Sequence, residues 1–228
     1  DKEMETVAGV PPDYFNNEGQ LWGMPIYRWD RMKADGYKWW IARLKKNLEL
    51  FDLLRIDHFR GLSKYWEVPA GEKNAIHGKW IEGPGDSFFD ELKKHFPDMP
   101  FVAEDLGDID QPVYDLRDRY DLPGMKILQF AFGDNMPTSV HIPHNHTFNS
   151  IAYTGTHDNN TVQGWYSEEL TGDSKKRWEQ YTGNKINKSD CHWQLIRLAL
   201  SSPARLAIVP MQDFFGLDES HRMNRPST

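Results

Sequence analysis

Three short stretches hold the side chains best suited to chemistry. LLRIDHFRG (53–61) sets Arg55, Asp57 and His58 within an apolar run, FVAEDLG (101–107) carries Glu104 and Asp105, and IAYTGTHDN (151–159) ends near His157 and Asp158. In a strand, alternate side chains fall on opposite faces. Leu54 and Ile56 then share a greasy face, while Arg55 and Asp57 set a cation beside a carboxylate on the other. Alone, such an R-x-D reads most simply as a buried ion pair that only satisfies itself. A single acid at a strand end is most often a cap for the next helix. Here the polar ends recur: Asp57 and His58, Glu104 and Asp105, Gln129 and Asp134, His157 and Asp158, Gln212 and Asp213. If the strands belong to a closing parallel barrel, such ends converge at one face. Two carboxyl groups flanking a bond are what glycoside chemistry uses, one as nucleophile and the other as acid/base.

The elements that must position these groups can be read from periodicity. Tyr37, Trp40, Ile41, Leu44 and Leu48 recur at helical spacing, predicting a helix from Asp30 with Lys45 and Lys46 on its far side. A strand follows at about 52–59. A helix is expected near 88–96, with Ser87 and Asp90 as a capping box. FVAEDLG reads as the second strand, and Pro112 suits the first turn of a helix over 112–119. MKILQFAF, IAYTGTHDN and ARLAIVPMQ are the remaining strands, with a helix near 189–201 capped by Ser189. Pro11-Pro12, Gly19, Gly23 and Pro25 mark residues 1–29 as a long ordered loop, and 68–86 as a second punctuated stretch. Strands alternating with helices predict an α/β protein with a parallel sheet.

Composition narrows the function. The 228 residues are 39% hydrophobic and 13% aromatic, which indicates a globular core, and the aromatic surface suits either sugar stacking or ordinary packing. A net charge of −7 argues against nucleic acid as a partner. No run approaches the roughly 20 apolar residues of a membrane span. A lone cysteine, Cys191, points to a reducing compartment. HIPHNH (141–146) superficially suggests a metal site, but a structural or surface role is the favoured reading.

VAGVPPDYF, GQLWG, RIDHFRG, AEDLG, PGMKILQFAF, YTGTHDN, MQDFFGLD and RMN occur in order along the chain. Taken together they resemble the 4-α-glucanotransferases of the amylomaltase or disproportionating-enzyme type, family 77 of the glycoside hydrolases. That resemblance implies a (β/α)8 TIM-type barrel, of which five strands are counted here, so that residues 1–228 form a partial catalytic domain with 1–29 as an active-site loop region. It implies transfer of α-1,4-glucan segments between maltooligosaccharides by a retaining double displacement, with no cofactor and no metal. Asp57 matches the nucleophile, Glu104 the acid/base and Asp158 the third carboxylate. Arg55 would keep Asp57 ionised, and His157 would donate to a sugar hydroxyl. Asp13, Tyr14, Gln20 and Trp22 match a loop closing over the subsites, with a core anchor the competing role for Trp22. Phe130, Asp134 and Asn224 match further subsite contacts, and His58 joins the binding candidates. Asp105 is expected to support or cap more than to participate. GMP (23–25) and HDNNT (157–161) depart slightly from the family pattern, which bears on subsite detail. The alternatives are an α-amylase-like retaining hydrolase and an inactive glucan-binding remnant. The implied location is the cytoplasm, or the plastid stroma in a plant or alga.

Overall fold

The computed structural model describes residues 4–12, 16–222 and 224–226, so Asp13 and Tyr14 lie outside the described residues. The chain divides into two units, Asp1–Pro123 and Gly124–Thr228. In chain order the first contains β1 (Thr6–Val10), β2 (Gln20–Pro25), α1 (Trp29–Ala34), α2 (Lys38–Leu48), β3 (Leu54–Ile56) and α3 (Arg60–Ser63). It continues with β4 (Lys64–Pro69), β5 (Lys79–Glu82), α4 (Gly85–His95), β6 (Phe101–Ala103) and α5 (Gln111–Arg119). The second contains β7 (Gly124–Ile127), β8 (Ser150–Tyr153), α6 (Val162–Gly164), α7 (Gly172–Thr182), α8 (Cys191–Leu200), β9 (Leu206–Ile208) and α9 (Met211–Phe214).

The parallel strands are the expected ones. In the first unit β3 pairs with β6, Arg55 opposite Val102 and Ile56 opposite Ala103. In the second, β8 pairs with both β7 and β9. Strands buried on both faces read as continuous apolar runs, which FVA and SIAY satisfy, every residue being buried. Under β3 and β6 lies a core of Phe59, Phe88, Phe89, Leu92, Phe101 and Leu116, joined at its margin by Trp29 and Trp40. Much of the aromatic content is therefore packing. Leu128, Phe132, Trp165, Trp178, Cys191 and Leu195 form the corresponding core of the second unit.

Several local expectations are corrected. Residues 6–25 are not a loop throughout: β1 and β2 pair antiparallel, and with β4 and β5 they make a four-stranded sheet in the order β2-β1-β4-β5. The prolines and glycines obscured this. Pro25 ends an edge strand, where no ladder donor is needed. At Gly9 a Cβ would lie 2.6 Å from the Gln20 carbonyl, so only glycine allows the strands so close. The single helix expected from Asp30 is broken between α1 and α2, because Gly36 (φ +71) and Tyr37 (φ 53) are left-handed. Tyr37 is buried there, with its hydroxyl 2.7 Å from Ser87 Oγ. Ser87 therefore caps nothing; α4 starts at Gly85, and the Ser87 hydroxyl donates to the Pro84 carbonyl. Strand β7 stops at Ile127, where 128–130 coil into a 3-10 turn. Ser189 donates to Asn187 Oδ1 instead of capping α8. Helix α7 was not foreseen, although Thr171 caps it by accepting from Ser174 N and Gly183 (φ 72) ends it. Among the described residues, no helix is long and apolar enough to cross a membrane.

Candidate active site

In the first unit the turn after β3 and the end of β6 are laced together around Asp57. The Glu104 N–H donates to the Ile56 carbonyl at 3.0 Å, and the Phe59 N–H donates to the Glu104 carbonyl at 3.2 Å. The Glu104 carboxylate is held as well. Its Oε2 accepts from the His58 N–H at 2.7 Å and its Oε1 from the Leu106 N–H at 3.0 Å. The residues on both sides of Asp57 are thus bonded to Glu104.

These two acids sit in opposite surroundings. Asp57 is open to solvent and paired with Arg55, Nη2 to Oδ1 at 2.9 Å. The Arg55–Asp57 pair predicted from strand alternation is therefore formed, at the surface of the cleft and not within the core. Burial pushes the Glu104 carboxyl up to about 7, the Asp57 charge adds to this, and the two backbone N–H donors and Arg55 oppose it. A carboxyl near 7 both gives and takes a proton at neutral pH, the property an acid/base needs.

His58 is one of four non-glycine residues among those described with a left-handed backbone, at φ 46. That conformation costs roughly 1–2 kcal/mol for a residue bearing a Cβ. Its ring meets the edge of Trp22, centroids 4.7 Å apart and planes at 82°. Burial pushes the imidazole pKa down, so the ring is neutral at pH 7. Trp22 in turn donates from Nε1 to Gln20 Oε1 at 3.2 Å. Trp22, Tyr27, Trp29, Trp40, Asp57 and His58 line a mostly apolar cleft of about 530 Å³. Such aromatic walls beside a carboxylate fit the apolar faces of sugar rings. Asp105, counted among the binding candidates, is sealed in: its carboxylate accepts from Arg117 Nη1 of α5 at 2.5 Å and it is 5% exposed. Its place is to anchor the end of β6.

In the second unit His157 and Asp158 follow β8 on a loop that folds on itself. His157 Nε2 is 3.3 Å from Asp158 Oδ2. Asn224 donates to Asp158 Oδ1 at 3.0 Å and to the His157 carbonyl at 3.2 Å, so this residue holds the carboxylate. Arg222 donates to the Asp158 carbonyl at 3.1 Å. A cavity of about 160 Å³ is lined by His157, Asn159, Gln212, Arg222 and Asn224, among others. Asp134 is paired with Arg177 of α7, and Phe130 is half-exposed against His141, centroids 5.5 Å apart. His141 Nδ1 accepts from the Ile127 N–H, His144 Nε2 bonds to the Pro137 carbonyl, and His146 bonds to Ser202 and the His141 carbonyl. Among the described residues no cluster of His, Cys, Asp or Glu is arranged for a metal.

Sequence reasoning missed the supporting groups. Asp213, noted only as a strand-end polar residue, is 2% exposed and accepts from Thr154 Oγ1 at 2.6 Å and the Val162 N–H at 2.7 Å, pinning both ends of the His157–Asp158 loop. Arg222 lay within the RMN motif but was not singled out. Gly61 was equally unremarked; a Cβ there would lie 2.8 Å from His58 Cδ2. The glycine of HFRG was the one available signal.

Comparison with known proteins bears on this geometry. The 4-alpha-glucanotransferase of Aquifex aeolicus is 47% identical over 220 residues, covering 96% of this chain and 45% of that protein. That of Synechocystis sp. is 50% identical over 228 residues, covering 99% and 45%. An amylomaltase from Streptococcus agalactiae, solved in complex with acarbose, superimposes with a TM-score of 0.92 at 40% identity over 99% of this chain and 45% of that one. The chain thus spans about half the length of the curated relatives it matches, and its fold is the α/β arrangement of a partial (β/α) barrel. Since glycoside hydrolase family 77, described as 4-alpha-glucanotransferase, matches residues 2–228, the chain belongs to that family.

Proposed function

We propose that the protein transfers α-1,4-glucan segments between maltooligosaccharides or longer glucans by a retaining double displacement. The observation that carries this reading is the pair of unlike carboxyl groups bonded through one turn: Asp57 solvated and beside Arg55, Glu104 half-buried and raised to about 7. Asp57 attacks the anomeric carbon while protonated Glu104 gives its proton to the departing glycosidic oxygen. A β-linked glucosyl-enzyme results. The 4-hydroxyl of a second glucan then displaces Asp57 as Glu104 takes up its proton, restoring the α-linkage. Asp158, steadied by Asn224, holds sugar hydroxyls, and His157 donates to one of them. The aromatic wall carrying Trp22 excludes water, so that a sugar resolves the intermediate. The reaction belongs in the cytoplasm, or in the plastid stroma of a plant or alga.

Incubation of the full-length protein with maltotriose tests the reading. A ladder of shorter and longer glucans plus free glucose is expected; glucose and maltose alone would establish a hydrolase. Asp57→Ala should abolish transfer, and a glucosyl fluoride should label Asp57 in the Glu104→Gln variant, since fluoride leaves with little protonation.

A further inference from the structure

His58 touches two things at once, the wall of the cleft through its ring and the acid/base through its backbone. Its N–H donates to Glu104 Oε2 at 2.7 Å, the Phe59 N–H donates to the Glu104 carbonyl at 3.2 Å, and residue 58 between these two donors is left-handed, φ 46. Strained backbone of this kind persists where surrounding contacts over-determine it. Two contacts do so here. The Trp22 and His58 rings pack in a T-shape with centroids 4.7 Å apart, and Gly61, whose N–H donates to the His58 carbonyl at 2.9 Å, leaves room for the ring where a Cβ would stand 2.8 Å from Cδ2. We propose that His58 is a positioning residue for the acid/base: Trp22 and Gly61 hold its backbone left-handed, and this aims the N–H that fixes the orientation and protonation of Glu104. The left-handed backbone of residue 58 is the lever, the ring contacts hold it in the parent protein, and the amide is the working part. Cleft wall and proton donor are thereby mechanically linked, so distortion at Trp22 reaches Glu104 without touching it.

The proposal rests on Glu104 being the acid/base. The charged groups acting on Glu104 are Arg55 and Asp57 from β3 and its turn. Arg60 of α3 pairs with Asp110, and Asp105 pairs with Arg117 of α5. None of these is altered by the substitutions that follow. A donor to the carboxylate favours its charged form, so losing it raises the Glu104 pKa.

The test uses the full-length protein and two readouts, the alkaline limb of the kcat/KM–pH profile for transfer and the Glu104 carboxyl titration by 13C NMR, assigned with Glu104→Gln. His58→Val puts a β-branched residue where φ is positive, and should move both upward by about one pH unit. Gly61→Ala, which pushes the ring, should move them the same way. His58→Asn keeps an N–H and tolerates left-handed backbone, so both should stay at the wild-type value. A purely structural role would lower stability and leave the limb in place. If Val and Ala variants fold with an unmoved limb, or if Asn shifts it as far as Val, the proposal is wrong. Should Val fail to fold, Gly61→Ala against His58→Asn decides. Normal transfer by Glu104→Gln would instead sink the acid/base assignment itself, a distinguishable result.

Discussion

Replacing Glu104 by glutamine should invert in its effect on stability between acidic and alkaline pH. The carboxyl titrates at about 7 in the folded chain, against an ordinary value of 4.5. A raised folded pKa means that the folded state holds the proton more tightly than the unfolded state. The associated stability is therefore complete below about 4.5 and is lost as pH rises through about 7. At about 1.36 kcal/mol per unit the whole span is roughly 3 kcal/mol, of which about 2–3 kcal/mol falls between pH 5 and pH 8.5. Glutamine does not titrate, so it escapes this loss. Its oxygen can accept from only one side, however. Either the His58 or the Leu106 N–H, both now bonded to the carboxylate, then faces an amide NH2, at a cost of about 1 kcal/mol at every pH. The variant should be less stable than the parent by about 1 kcal/mol at pH 5 and more stable by about 1–2 kcal/mol at pH 8.5. Urea unfolding followed by tryptophan fluorescence measures this at both pH values, because Trp29 and Trp40 pack against the same core. Other titrating groups cancel in the difference between the two proteins. A difference that stays constant within about 0.5 kcal/mol would refute the claim that burial controls Glu104.

Asn224→Ala removes the donor to Asp158 Oδ1 and should lower kcat/KM for transfer about tenfold or more, with a thermal midpoint close to the parent's; an unchanged rate would show that Asp158 needs no such support. Arg117→Met strands the buried Asp105 carboxylate and should cost about 3–5 kcal/mol in urea unfolding, with much of this regained in the Asp105→Asn/Arg117→Met pair. Gly78→Ala would place a Cβ 2.2 Å from Trp66 Nε1, which donates to the Ala75 carbonyl, and should destabilise the β4–β5 hairpin by about 1–3 kcal/mol, read as faster amide exchange there. Cys191 is buried with its thiol pushed up to about 11, so a thiol reagent at pH 8 should react with it only after denaturation.

What was legible in the sequence follows from the range of each interaction. The central parallel strands were legible because their burial writes an unbroken apolar run, as in FVA and SIAY, and the polar residues that follow them stand in sequence order. The Arg55–Asp57 pair was found because strand alternation is a local rule. What depended on a distant partner was not found. Gly9 in β1 looks like a loop residue until Gln20 lies against it, and Ser87 looks like a helix cap until Tyr37 claims its hydroxyl. Asp213 reads like any strand-end acid, and only Thr154 and Val162, more than fifty residues earlier, give it a purpose. Even α7 was hidden, since a helix with few apolar residues has little periodic signal, although Thr171 and Gly183 bracket it.

The same distinction explains why Asp57 and Glu104, similar groups on adjacent strands, sit in opposite surroundings. Position at a strand end alone does not tell these two carboxylates apart. Register does not separate them, since Ile56 pairs with Ala103 and each acid follows the last residue of its strand. Asp57 lies beyond the last residue of β3, where its side chain escapes into solvent beside Arg55. Glu104 likewise follows the last residue of β6, but its main chain is tied to Ile56 and Phe59, which turns its side chain under the His58 amide and out of water. Hydrogen bonding alone would then keep Glu104 ionised, since both donors favour the carboxylate. Burial outweighs them and raises it to about 7. The raised Glu104 carboxyl is thus a balance between burial and two aimed amides. A residue that re-aims one of those amides changes the protonation of Glu104 without altering any charge.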